Sequence, residues 1–171
     1  PKGSYLVGGY IRDIILNRAA DQEDVDIVVP LNAIEIGKMI SENIKSKFII
    51  LDKEREVVRI ILDGISIDIA NQISSSIEGD LCSRDFSINS IAFLFDKKLL
   101  FDPLNGLKDL KFSLLKTYSE MNLLDDPLRI LRCFRFVSEL NFQIDLKLVD
   151  FIKKNKAKLY LCLLYTSPSP R

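Results

Sequence analysis

The apolar positions change period several times along the chain. Residues 5–7 (Tyr-Leu-Val) read as a short strand running into Gly8-Gly9. Residues 10–17 have helical spacing, with Ile11, Ile14 and Ile15 on one side. Residues 25–29 form a β-branched strand ended by Pro30, and 32–45 reads as an amphipathic helix through Ile34, Met39, Ile40 and Ile44. Three strands are expected at 48–51, 57–62 and 65–70, with Asp63-Gly64 as the hairpin turn between the last two. Residues 86–93 look helical, and 98–101 is a short strand before the turn Asp102-Pro103-Leu104-Asn105-Gly106. A strong helix is expected at 127–140, with Asp126 as its cap and Pro127 at its first position. A further helix begins near Asp145. The stretch 161–171 breaks the pattern and is expected to be a cloning junction or a disordered tail. A mixed sheet with helices, followed by helices alone, is an α+β head with the start of an all-α region. The expected divisions are 1–112 for the head, 113–160 for the helical segment and 161–171 for the tail.

Composition narrows the chemistry. Of 171 residues, 47% are hydrophobic, enough for a core, and Lys+Arg and Asp+Glu both number 24. A zero net charge argues against a long grip on nucleic acid within this stretch, since such surfaces are usually basic. There is no histidine, which excludes Ser-His-Asp and Cys-His catalysis and most catalytic zinc sites. Cys82, Cys133 and Cys162 are far apart and form no CxxC pair, as expected of idle reduced thiols in a cytoplasmic protein. No apolar run is long enough to span a bilayer, and no signal peptide is visible. The start at Pro1 reads as a piece of a longer chain.

What remains is chemistry on carboxylates, arginines and bound metal. Asp24 and Asp26 lie two apart on an expected strand, so both point to one face, while Val25, Ile27 and Val29 line the other. Two like charges held that close repel unless a cation lies between them. A lone Asp-x-Asp is more often a solvated strand edge, but Asp68 alters the balance. It interrupts Ile65, Ile67 and Ile69 from the opposite face of its strand. If the two strands are neighbours, three carboxylates converge, as a two-metal phosphoryl transfer needs. Gly8-Gly9, between a strand and a helix, allow close backbone approach to phosphate, and Arg12 offers a charged fork. Arg84 and Asp85 open an expected helix, with Asn89 four residues after Asp85. Contact with a ribose or phosphate and a plain capped helix with a surface ion pair fit this segment equally well. Asp126 and Arg129 are neighbours on a helix, where a simple cap and ion pair competes with base reading. An aspartate accepts from the exocyclic amine of C or A, and an adjacent arginine donates to the ring nitrogen. G and U present the opposite order, and buried unpaired polar groups make such rejection strong.

In order along the chain, these motifs resemble the class II tRNA nucleotidyltransferase (CCA-adding enzyme) and bacterial poly(A) polymerase family. The resemblance rests on Leu6-Val7-Gly8-Gly9-Tyr10-Ile11-Arg12-Asp13, Asp24-Val25-Asp26, and the stretches 83–90, 102–110 and 125–142. It implies a polymerase-beta-like nucleotidyltransferase head with a mixed, largely antiparallel sheet, followed by the start of an all-α neck. It implies triphosphate binding by Gly8, Gly9 and Arg12, Mg²⁺ binding by Asp24 and Asp26 with Asp68 as third carboxylate, and ribose contact by Arg84, Asp85 and Asn89. It implies a hinge at 102–110, base reading by Asp126 and Arg129, and a nucleotide contact from Arg132. The implied partners are CTP, ATP and the 3′ end of tRNA. Departures from the family pattern are Ser83 in place of an arginine, Asp125 in place of a glutamate, and no arginine in Ile69-Ala70-Asn71-Gln72. The absence of an arginine- and phenylalanine-rich segment favours the tRNA branch over poly(A) synthesis. A non-catalytic nucleotide-binding piece is the reading from another class.

Overall fold

The computed structural model describes residues 2–18, 24–126 and 128–166, with side chains described through residue 156. The order is β1 (Tyr5–Val7), α1 (Gly9–Ile15), β2 (Asp24–Val29), α2 (Ala33–Ile44), β3 (Lys47–Asp52), β4 (Val57–Leu62) and β5 (Ile65–Asn71). Then follow α3 (Ile77–Cys82), a 3₁₀ turn at Ser87–Asn89, β6 (Ala92–Leu94), β7 (Leu99–Phe101) and α4 (Gly106–Lys111). The remainder is β8 (Leu114–Leu115), α5 (Glu120–Asp125), α6 (Leu128–Leu140), β9 (Gln143–Ile144) and α7 (Leu146–Thr166). Thus α7 continues into the stretch expected as a tail, and 167–171 lie outside the described residues, as does Pro127.

Seven strands form one sheet in the order β3-β4-β5-β2-β1-β6-β7. Every neighbouring pair is antiparallel except β2 with β5. That parallel pair sets Asp26 opposite Asp68 and Asp24 opposite Ser66. The hairpin between β4 and β5 turns at Asp63 and Gly64, both at positive φ, the geometry of a two-residue turn that matches strand twist. Its register places Arg59 opposite Asp68. One row across the sheet therefore reads Arg59, Asp68, Asp26, Val7, Ala92.

The alternation in β2, β4 and β5 sends Val29, Val58, Ile60 and Ile69 into an apolar cluster beneath α2. Gly37 of α2 comes so close there that a Cβ would meet Val58 Cγ2 at 2.5 Å. On the opposite face, α3 covers Val7, Val28 and Ala92 through Ile77 and Leu81. The largest cluster joins Ile11, Phe86, Ile88, Ile91 and Leu110 to Leu123, Ile130, Phe136, Leu148 and Phe151. Head and helical segment thus share one apolar interior across residue 112. Cys133 is buried in it, and burial, then Asp85, pushes its thiol up to about 11, in keeping with an inert thiol. Among the described residues, no helix is long and apolar enough to cross a membrane.

The structure corrects several expectations. Residues 86–93 are not a helix but the 3₁₀ turn followed by β6. Asp85 accepts from the Phe86 N–H, Ser90 donates to the Phe86 carbonyl and Ser87 donates to Asp109, so side chains take bonds that a helix would need. In α1, Ile14 and Ile15 are exposed, while Arg12 and Asp13 turn inward beside Ile11. The 102–106 turn caps a helix: Asp102 accepts from the N–H groups of Gly106 and Leu107 at the start of α4. The helices α3 and α5 and the short parallel pair β8–β9 were not expected.

Candidate nucleotide and metal site

β1 runs into Gly8, whose φ of 76° suits glycine. A Cβ there would lie 2.9 Å from Asp26 Oδ2 and 3.3 Å from Arg84 Nη1, so both side chains would have to give way. An acid from β2 and a base from the segment after α3 thus converge on the open side of Gly8. Arg84 in turn meets Asp80, a buried acid one helical turn earlier, at 3.2 Å. Asp80 also accepts from the Ile73 N–H, which fixes the segment between β5 and α3.

These groups open into a cleft of about 390 Å³. Of the residues expected at the site, Gly8, Gly9, Arg12, Asp26, Arg84, Asp85, Asn89, Arg129 and Arg132 line it. Asp24, Asp68 and Asp126 do not. Five further residues line it, Asp80, Arg135, Phe136, Ile73 and Ser83, none of them among the expected site residues. The Asp80–Arg84 spacing of four was the available signal for the first.

Arg12 is not a free fork. Its Nε and Nη2 donate to the two oxygens of Asp13 at 2.9 and 2.7 Å, and Nη1 donates to Asn89 at 2.8 Å. Asn89 then donates to Asp85 Oδ1 at 3.0 Å. Asp85 Oδ2 lies 2.9 Å from Arg132 Nε as an ion pair, without the alignment of a hydrogen bond. A relay from α1 through the 3₁₀ turn to α6 therefore fixes the cleft floor. Phe136 completes it: its buried ring has the guanidinium groups of Arg12 and Arg135 at 5.0 Å and that of Arg132 at 5.7 Å.

The carboxylates share one face of the sheet, as β-strand phase requires, but they are not equivalent. Arg59 donates from Nε and Nη2 to the two oxygens of Asp68, both at 2.7 Å. This bidentate pair raises the Arg59 pKa, and it commits Asp68. Among the described residues, no three carboxylates are grouped closely enough to hold one ion. Asp26 retains solvent contact, yet its pKa is raised. The crowding of the cleft walls is the main cause; Arg84 opposes it, and Asp68 and Asp24 add repulsion. Hard oxygen donors under mutual repulsion fit a hard divalent cation.

The raised pKa predicts a pH effect with a definite sign. A carboxyl whose pKa is higher folded than unfolded favours the fold below its unfolded pKa, and loses that contribution as pH rises through the folded value. Without metal, Asp26→Asn should therefore melt above the unsubstituted chain at neutral pH. The gap should close as pH falls through the raised pKa of Asp26. Equal melting temperatures across pH 3–8 would refute this account of the acid.

Asp126, which does not itself line the cleft, is half-exposed and accepts from the Leu128 N–H as a cap. Arg129 lies 3.8 Å from Asp126, and its Nη1 donates to the carbonyls of Ser83 and Asn122 at 2.9 and 3.1 Å.

A mixed seven-stranded sheet, with paired acids beside a glycine turn and a cleft rich in arginine, defines a nucleotidyltransferase head. Residues 4–116 match the model of the poly(A) polymerase head domain, and the chain belongs to that family. It is 41% identical over 145 residues to a CC-adding tRNA nucleotidyltransferase of Synechocystis sp., an alignment covering 85% of this chain and 35% of that protein. It superposes with a TM-score of 0.83 at 33% identity on a CCA-adding enzyme in complex with CTP, covering 92% of this chain and 40% of the other. A tRNA nucleotidyltransferase complexed with a primer tRNA and an incoming ATP analogue gives 0.81 at 30% identity, covering 96% and 49%. The chain thus spans 33–35% of the length of the first two curated relatives it matches. Nucleotidyltransferases of this kind generally use divalent metal ions.

Proposed function

We propose that the chain is the catalytic head of an enzyme that transfers nucleotides from CTP and/or ATP to the 3′ end of tRNA in the cytoplasm, without a template. The observation that carries the reading is the placement of Gly8 against both Asp26 and Arg84 at the mouth of a cleft whose far wall bears Arg129. Acids for a metal, a close backbone approach and arginines for phosphate lie on one side, and a base-facing arginine lies on the other. The relatives' activities on CTP, ATP and tRNA are consistent with it.

In this reading, Asp24 and Asp26 hold Mg²⁺, and Asp68 joins them once Arg59 releases it. The chemistry such ions supply when bound is activation of the attacking hydroxyl and neutralisation of triphosphate charge. Gly8, Gly9 and Arg84 receive the triphosphate. Arg12, Asp85 and Asn89 act through their relay to hold the cleft floor where the ribose rests, with Arg132 closing that relay from α6. The primer's 3′ oxygen bonds to the α-phosphorus, the bond to the α–β bridging oxygen breaks, and pyrophosphate leaves. The hydroxyl proton passes to solvent. Positioning and electrostatics suffice, so histidine is not needed.

Asp126 and Arg129 select the base. In the full-length enzyme acting on tRNA lacking its 3′ CCA, labelled CTP or ATP should be incorporated and UTP and GTP refused. Arg129→Ala should lower that preference by about tenfold or more, as one directional contact is lost. An unchanged preference in an active Arg129→Ala enzyme would remove the base-reading role.

A further inference from the structure

The carbonyls of Cys82 and Ser83 at the end of α3 are orphan acceptors, because the last carbonyls of a helix have no intrahelical donor, and the Arg84 carbonyl follows directly. All three are captured from the helical segment. Asn122 Nδ2, on α5, donates to the Cys82 carbonyl at 2.6 Å and to the Arg84 carbonyl at 2.8 Å. Arg129 Nη1, on α6, donates to the Ser83 carbonyl between them. The same Nη1 donates to the backbone carbonyl of Asn122, closing the set on itself. A guanidinium and an amide together cap the helix, and the positive charge at its C-terminal end adds a favourable dipole contact.

From this we propose that Asn122 is a specificity-determining positioning residue, which fixes the distance between the phosphate side of the cleft at Arg84 and the base side at Arg129. The inference rests on the proposed base-reading role of Arg129. Arg84 and Asp26 both approach Gly8, so the segment pinned by Asn122 carries a group that borders the metal-side acid. Arg129 spends Nη1 on that segment, and its Nε lies 3.8 Å from Asp126. If the pin is removed, two carbonyls lose their donor, the segment shifts, and the Arg129 anchor shifts with it. A base reader needs a fixed angle as well as a charge, so discrimination should suffer before folding does.

The test is nucleotide binding by this chain, measured by calorimetry with CTP, ATP, UTP and GTP and a divalent cation. Asn122→Ala removes the donors; Asn122→Asp keeps the shape and sets a carboxylate against two carbonyls. Both should weaken CTP and ATP binding by about tenfold, equivalent to about 1.4 kcal/mol, and lower the preference over UTP and GTP by at least about fivefold. Ile60→Val, in the cluster under α2, serves as a control that loosens the fold without touching the pin. Its preference should be unchanged at a comparable loss of melting temperature. Retained preference in Asn122→Ala overturns the inference, and so does an equal loss in the control. Should the unsubstituted chain bind all four nucleotides alike, the base-reading role of Arg129 falls and takes this inference with it. Should it discriminate and Asn122→Ala discriminate as well, only the inference falls.

Discussion

Asp26→Asn in the full-length enzyme is expected to abolish most nucleotide incorporation, by about a thousandfold, the scale on which losing one preplaced electrostatic partner slows such reactions. The acid sits at the centre of the sheet row, between the β5 acid Asp68 and Val7, and it is the strand acid that lines the cleft. Asparagine keeps the volume and the contact with Gly8, so the fold is spared. Incorporation of labelled CTP into tRNA lacking its 3′ CCA would measure the loss, and a rate within tenfold of the unsubstituted enzyme would exclude Asp26 from the centre. The same substitution is expected to raise melting temperature at neutral pH. A residue that destabilises the protein it serves is a common mark of a functional site.

Gly106→Ala should be the most damaging single methyl in the head. A Cβ there would lie 2.3 Å from the Ser87 carbonyl oxygen and 2.9 Å from Ile91 Cγ1. The carbonyl belongs to the 3₁₀ turn and cannot swing aside, and Ser87 is bonded to Asp109 on the same short helix as Gly106. Overpacking of this kind should cost about 3 kcal/mol, or a melting shift of about 6–12 °C for a domain of this size. Gly64→Ala is the informative comparison. Gly64 has the positive φ of 87°, but nothing lies within 4 Å of its Cβ position. Its loss should be about 1 kcal/mol, from backbone strain alone. If Gly64→Ala proves the worse of the two, close packing at Gly106 is not what the residue is for.

Much of this arrangement can be read in the residues. The period-two runs at 57–62 and 65–70 and the Asp63-Gly64 turn define the hairpin, and a two-residue turn then dictates that Arg59 faces Asp68. The pairing is carried by the turn length, whereas the run 65–69 by itself marks Asp68 only as an isolated acid. The caps of α3 and α5 were also present as Ser76 and Ser119, each accepting an N–H two or three residues on. Six-residue helices leave too short an apolar repeat to raise them above the surrounding loop. The 86–93 segment misled for the opposite reason. Phe86, Ile88 and Ile91 have the spacing of a helix face, but Asp85, Ser87 and Ser90 use their side chains on the backbone and on Asp109. No local rule could send Arg12 and Asp13 inward while Ile14 and Ile15 faced solvent. That choice depends on Asn89 and Phe136, 77 and 124 residues away, which complete the surroundings of Arg12.

The ring of Phe136 has a consequence for how a ligand first meets this protein. The chain as a whole is electrically neutral, yet five arginines and three aspartates border the cleft, and three of the arginines fan out around one aromatic ring. Charge here is paired at short range, Asp80 beside Arg84 and Asp85 beside Arg132. An approaching triphosphate meets this pattern only at the cleft itself and experiences nearly no pull from a distance. Such a molecule gains little from long-range steering and much from orientation on arrival. Its capture rate should therefore respond weakly to salt, while its bound lifetime should respond strongly.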